Sequence, residues 1–202
     1  MTNEKASFIF APICEKEGIA SNLTERTRQN QMTSLQATLS GRMHIREIRF
    51  LALSEDPEAL LSLLHAPEKR TSDNAAWVLT HLPSEKKSLL LQHQQELIDE
   101  AMQTSSTTKR RLIMTLLENQ PFLKDDLRTD FLNFCLTQMT DTDAPTGIRS
   151  LAVKLSYAQC RHYPELLAEL RSAMELMEQE TQKPGLTSVR RRMMNMLAKT
   201  TY

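Results

Sequence analysis

Three arginines, Arg110, Arg149 and Arg190, recur in similar surroundings, each about one turn into an apolar helical pattern. Arginine offers a planar fork of donors suited to carboxylates and phosphates. Two uses are open for such a row: a ladder holding one structural unit on the next, or a binding strip for anions or nucleic acid. Trp77 lies one helical turn from Asp73, a pair that could pack internally or anchor a ligand. Asp143 precedes Arg149 closely enough to be its candidate ion-pair partner.

Other reactive side chains assemble no catalytic set. His44, His65, His81, His93 and His162 show no HExxH or other metal-ligand spacing. His65 and His81 could approach one another across a hairpin, though each reads more simply as a helix-end histidine. No GxSxG nucleophile turn occurs. The pairs Asp125/Asp126 and Asp141/Asp143 fall at expected helix starts, where capping and the helix dipole account for carboxylates. Cys14, Cys135 and Cys160 are odd in number and far apart, which fits neither a zinc site nor a disulfide framework. Cys135 and Cys160 sit within apolar helix patterns and read as small core residues. The expectation is a non-enzyme with no metal and no cofactor.

Composition narrows what positions these residues. Hydrophobic residues form 40% of the 202 and aromatic ones only 5%, so the core must come from Leu, Met, Ala and Ile. That suits helix-on-helix packing better than a β-sandwich. Four glycines are too few for an array of hairpin turns. The 25 basic and 25 acidic residues balance, whereas a dedicated nucleic-acid binder usually carries a basic excess. The longest apolar run, 8–14, is far short of the ~20 residues needed to span a bilayer. The first residues lack a long apolar h-region, so a cytoplasmic, reducing setting is expected.

Prolines and caps divide the chain into helices. Periodicity predicts helices over 22–40, ended by Gly41, and 42–53, with Ile45, Ile48 and Ala52 inward. Asp56 and Pro57 form an N-cap and N1 pair for a helix burying Leu60, Leu63 and Leu64. Further helices are expected over 72–82, 84–102 (bent near 92–95), 107–119, 124–139, 164–181 and from a Ser188 cap onward. The helix around 148–160 differs, because Ile148, Leu151, Ala152, Leu155 and Ala158 form one stripe and Val153, Tyr157 and Cys160 another. Two apolar faces require cover on two sides, as in an interior layer. In the last helix Val189, Met193, Met196 and Leu197 face inward, while Arg191, Arg192, Asn195 and Lys199 fill the opposite arc, as a capping layer requires. Met174, Met177, Met193, Met194 and Met196 read as core filling, with an adaptable binding surface as the alternative.

The inward positions align as Leu79, Ile113, Ala152 and Met193, at offsets of 34, 39 and 41 residues. Helical-hairpin repeats run at about this period. The run from Asp143 to Ala152, with its acid, proline, Ile148-Arg149 and alanine, resembles the second helix of HEAT repeats, and Ser188-Val189-Arg190 repeats its middle. Ala76 stands where the earlier repeat would have its arginine. Residues 29–199 also resemble a family of short bacterial HEAT-like proteins of uncharacterised function. The shared segments are Ala-Ala-Trp-Val-Leu at 75–79, Lys-Arg-Arg-Leu at 109–112, Ala-Val-Lys-Leu at 152–155 and His-Tyr-Pro-Glu-Leu at 162–166. Some members carry an adenylosuccinate lyase label, but the glycine-rich, serine- and lysine-bearing loop of that enzyme is absent here.

The resemblance implies an all-α fold, an α-α superhelix (HEAT-like solenoid) of about four to five hairpins over 29–202, behind an extension, 1–28, of unclear structure. Phe8, Ile9, Phe10 and Ile13 in that extension could dock on the repeats or on a partner. The expected function is a scaffold that binds a protein or peptide on its concave face, with Trp77, Asp73, Arg110, Arg149 and Arg190 as candidate binding residues. The alternative is nucleic-acid binding through Arg110, Arg149, Arg190 and the 190–192 triplet, since HEAT-like DNA glycosylases place aromatics and a carboxylate in their groove.

Overall fold

A computed structural model of the chain describes residues 14–177 and 183–200, and the regular structure among them is entirely helical. The elements are α1 (Cys14–Ser40), α2 (Ile45–Ser54), α3 (Pro57–Ser62), α4 (Lys69–Thr80), α5 (Ser84–Lys87), α6 (Gln94–Gln103), α7 (Thr107–Glu118), α8 (Thr129–Thr140), α9 (Thr146–Cys160), α10 (Pro164–Leu176) and α11 (Pro184–Thr200). Helix α1 runs unbroken across residue 28, so 14–28 continue the first helix. The expected docking of Phe8, Ile9, Phe10 and Ile13 lies outside the described residues.

The helices form two rows. In one, α1, α4, α7, α9 and α11 each pack on the next. In the other, α6, α8 and α10 are neighbours in turn. The pairs α3/α4, α6/α7, α8/α9 and α10/α11 pack as antiparallel hairpins, with α1 and α2 ahead of them. The aligned positions Leu79, Ile113 and Ala152 are completely buried and Met193 nearly so. A quasi-one-dimensional stack of hairpins is therefore the architecture.

Local chemistry sets the ends. Asp56 caps α3 by accepting from the Glu58 N–H at 3.4 Å, and Pro57 takes N1. The bend expected in 84–102 is a 3-10 stretch, Ser88–His93, between α5 and α6. Tighter winding shifts the apolar phase there.

Several boundaries differ from expectation, among them that of the helix expected over 124–139, which is a 3-10 turn at Lys124–Asp126 followed by α8 from Thr129. Helix α4 starts at Lys69, and Ser72 lies buried inside it, donating from Oγ to the Leu64 carbonyl at 2.6 Å. Helix α11 starts at Pro184, so Ser188 sits a turn inside the helix instead of capping it. Proline suits a first turn because its missing N–H is not needed there. In α2 the buried stripe is Ile48, Leu51 and Ala52, whereas Ile45, the first helical residue, is exposed.

Helix α9 packs against α7, α8, α10 and α11. Both of its predicted stripes face neighbours: Ile148, Leu151, Ala152, Leu155, Val153 and Cys160 are buried. In α11, Leu186, Met193 and Leu197 are buried, while Arg191, Arg192, Asn195 and Lys199 are exposed. The terminal layer thus presents a polar outer side, as a solenoid end needs.

Candidate functional site

The three arginines close helix ends. Arg149 Nε donates to the Met139 carbonyl at 3.0 Å in the last turn of α8. Arg190 donates from Nη1 to the Met174 carbonyl at 3.4 Å, near the end of α10. Arg110 donates from Nε to Ala101 at 3.0 Å and from Nη2 to Thr104 at 2.5 Å, at the end of α6. In these three hairpins the second helix thus sends a guanidinium back to the carbonyls at the end of the helix before it. Those carbonyls lack intrahelical donors and carry the negative end of the helix dipole, so a cation is favoured there.

Arg149 and Arg190 are only 7% and 8% exposed. Arg110 is half-buried, with its guanidinium carbon 5.6 Å from the centroid of the Phe134 ring. Asp143 stands exposed in the α8–α9 turn and forms no ion pair with Arg149. The partner of the Arg149 Nε is the Met139 carbonyl and not Asp143.

The hairpin with Ala76 at the arginine position solves the same problem differently. The Leu64 carbonyl, just past α3, accepts from Ser72 Oγ and also from Lys109 Nζ at 2.7 Å. Lys109 belongs to α7, one hairpin further on, and its Nζ also lies 2.6 Å from Glu100 Oε1. Asn74 serves the end of α1, donating to the Leu39 and Gly41 carbonyls. Lys86 serves the end of α2, donating to Leu53 and Glu55, each at 2.7 Å.

Asp73 is engaged as well. Its Oδ1 accepts from Ser106 Oγ at 2.6 Å, and that same Oγ accepts from the Lys109 N–H at the start of α7. Trp77 is half-buried, packs on the core and meets the His81 ring edge-on at 6.3 Å. Asp73 and Trp77 therefore share a helix face, with Asp73 held by Ser106 and Trp77 packed on the core.

A second polar group joins α3 to α6. His93 Nε2 is 3.0 Å from Glu58 Oε1, and its Nδ1 is 3.1 Å from Glu96 Oε2. His65 bridges Glu96 and Glu100 through its two nitrogens, at 3.1 and 3.0 Å. The hydrogen bond to Glu96, with Glu58 adding to it, raises the His93 pKa above its ordinary value against the opposing effect of burial. His65 first and His93 second hold the Glu96 carboxyl below its ordinary range. His65 ends the 3-10 turn that follows α3, as a helix-end histidine does, and pairs with α6 instead of approaching His81.

Among the described residues no group of His, Cys, Asp and Glu side chains is arranged to hold a metal ion. Cys135 and Cys160 are buried, and burial pushes both thiols up, Cys160 to about 12. Met174, Met177 and Met193 are buried, which fits core filling.

Three further surfaces stand open, and of these the polar arc of α11 is the one its helical pattern predicts. On α2, Phe50 and Leu53 are 68% and 67% exposed, and Ile45 is exposed beside them. At 100° per residue Ile45, Arg49 and Leu53 form one row and Arg46 and Phe50 the next. The signal was Phe50 and Leu53 lying off the buried stripe between arginines. On α11, Ser188, Arg191, Arg192, Asn195, Met196 and Lys199 line an open groove of about 530 Å³. A smaller groove of about 180 Å³ runs between Leu91, Gln94, Gln95, Pro121 and Leu123.

Stacked hairpins, clasped end to side by basic groups on backbone carbonyls, define a helical-repeat scaffold of the α-α superhelix class. A family model described as a HEAT repeat domain matches residues 35–197, and the chain belongs to that family. No curated protein and no solved structure matches it. Among the described residues no helix is long and apolar enough to cross a membrane.

Proposed function

We propose that this chain is a non-catalytic scaffold that binds a protein or peptide partner, with the partner's anchors seated on the outer face of α2. The observation that carries this reading is the pairing of exposed Phe50, Leu53 and Ile45 with Arg46 and Arg49 on one helix face. Large apolar side chains grouped on a surface mark interaction sites, and aromatics supply the anchors. Neither arginine, nor the adjacent Arg42, makes an ion pair or hydrogen bond with another described residue. The complementary partner is a short apolar segment flanked by Asp or Glu.

The candidate row of Arg110, Arg149 and Arg190 has less to offer a ligand, because each side chain is at least half-buried and has a donor on a helix-end carbonyl. Asp73 is likewise occupied by Ser106, and Trp77 is half-buried against the core.

The test is site-specific photocrosslinking in the native host, with the photoreactive residue at position 50 or, as a control, at exposed Glu175. A discrete adduct from position 50 that disappears with Arg46→Glu and Arg49→Glu supports the reading. Equal labelling from both positions, or an adduct with a second copy of this chain, overturns it.

A further inference from the structure

The last helix carries a surface that the α2 reading does not use. Residues 183–200 hold Lys183, Arg190, Arg191, Arg192 and Lys199 and no carboxylate, in a chain whose basic and acidic residues balance overall. Arg190 turns inward to α10. Arg191, Arg192 and Lys199 are exposed, and none makes a hydrogen bond or ion pair with another described residue. Ser188 and Asn195 lie between them, so that the groove of about 530 Å³ is walled by donors. From Ser188 to Lys199 the strip is about 16 Å long at 1.5 Å per residue. As the last member of its row, α11 has no further hairpin on that side among the described residues.

We infer that this face of α11 binds the phosphodiester backbone of a nucleic acid. Arginine and lysine can only donate, and the Ser188 hydroxyl and Asn195 amide can donate beside them. The ligand must therefore be rich in acceptors, anionic, and able to repeat its charge along about 16 Å. A phosphodiester chain meets all three requirements. An acidic protein segment would need apolar anchors at the centre of its interface, and a membrane surface would need an apolar face to enter. The face offers neither, because its one apolar lining residue, Met196, is half-buried and the exposed large hydrophobics lie on other elements. Contacts to phosphate position a duplex without reading it, so binding here is independent of base sequence. This inference is separate from the α2 reading and uses none of its residues.

The experiment titrates the full-length protein into a short fluorescein-labelled DNA duplex at several salt concentrations and follows anisotropy. Three phosphate contacts give a slope of log K against log salt of about −2.7, or about a 40-fold loss between 50 and 200 mM salt. Arg191→Gln, Arg192→Gln and Lys199→Gln each flatten the slope by about 0.9, while the melting temperature stays unchanged because the side chains are exposed. Arg46→Gln with Arg49→Gln leaves the slope intact. No saturable binding at the lowest salt overturns the inference, and so does a slope indifferent to the triple substitution. Equal affinity for polyglutamate or for vesicles of anionic lipid also overturns it, by assigning the face to another class of partner.

Discussion

Arg149 Nε sits 3.0 Å from the Met139 carbonyl oxygen, so a side chain of α9 completes the last turn of α8. The hairpin is held by a charge on a backbone group, and that choice has a measurable cost when reversed. Arg149→Ala strips a buried carbonyl of its donor and leaves a void, and is expected to cost about 2–3 kcal/mol. Arg149→Lys keeps the charge but loses the fork, and should recover part of that. Urea midpoints for the two variants check the order; equal midpoints with wild type would falsify the clasp.

The close packing of α9 makes it intolerant of added volume. Ala152 is fully buried on a helix flanked by α7 and α11. Ala152→Leu is expected to destabilise by about 1–3 kcal/mol. Leu155→Ala, also fully buried, should cost about 2–5 kcal/mol. Thermal melts of both proteins decide the matter, and an unchanged Leu155→Ala curve would remove that residue from the core.

Stability should depend on pH through the staple between α3 and α6. His93 has a raised pKa, so its contribution is complete below its ordinary value of 6.5 and is lost as pH rises through the higher folded value. Glu96 has a lowered one, so its contribution is complete above 4.5 and is lost as pH falls through the lower folded value. The staple is strongest in the mildly acidic window between those two values. In a pH series of melting temperatures, His93→Gln should flatten the decline on the alkaline side. A variant curve parallel to wild type at every pH speaks against this assignment. The groups facing His93 and His65 are Glu58, Glu96 and Glu100, with Lys109 behind the last.

Buried thiols give a local clock for opening. Burial pushes Cys135 up strongly and Cys160 to about 12, so neither is a thiolate at neutral pH in the closed stack. In a Cys14→Ser background, labelling by a maleimide should proceed only through unfolding and should speed up in Arg149→Ala. Fast stoichiometric labelling of the intact protein would contradict the burial.

Ser106 joins two helices through one oxygen, accepting from α7 and donating to Asp73 on α4. Ser106→Ala is expected to cost about 1–2 kcal/mol, and Asp73→Ala less, because the cap to α7 survives it. A double-mutant cycle measures the shared part, and strict additivity would mean the two oxygens act independently.

Much of the fold can be read from the sequence because helical periodicity reports burial directly. The two stripes of α9 imply cover on two sides, and the offsets from Leu79 to Met193 follow from aligning inward positions. The acceptors of the arginines are another matter. Carbonyl oxygens are the same at every residue, so nothing in the sequence distinguishes Met139 as a partner from Asp143 nearby. Charge complementarity pointed to the acid, whereas geometry brings the open end of α8 within reach first. Ile45 is exposed against its periodic pattern for a related reason, since periodicity describes the middle of a helix better than its first residue. Lys109 reaching back to Leu64 spans two hairpins, a relation that no pattern within one repeat encodes. The basic face of α11 was visible as composition, but its separation from Arg190, which turns inward, needed the fold.

That backward reach of Lys109 also limits how the protein can be shortened. A fragment ending between α6 and α7 would strip the Leu64 oxygen of one of its two donors and Glu100 of its counter-ion, although every residue of both helices before the cut were present. The smallest self-sufficient front piece therefore runs through α7, and the natural seams of the molecule fall after a second helix of a pair, never between its two members.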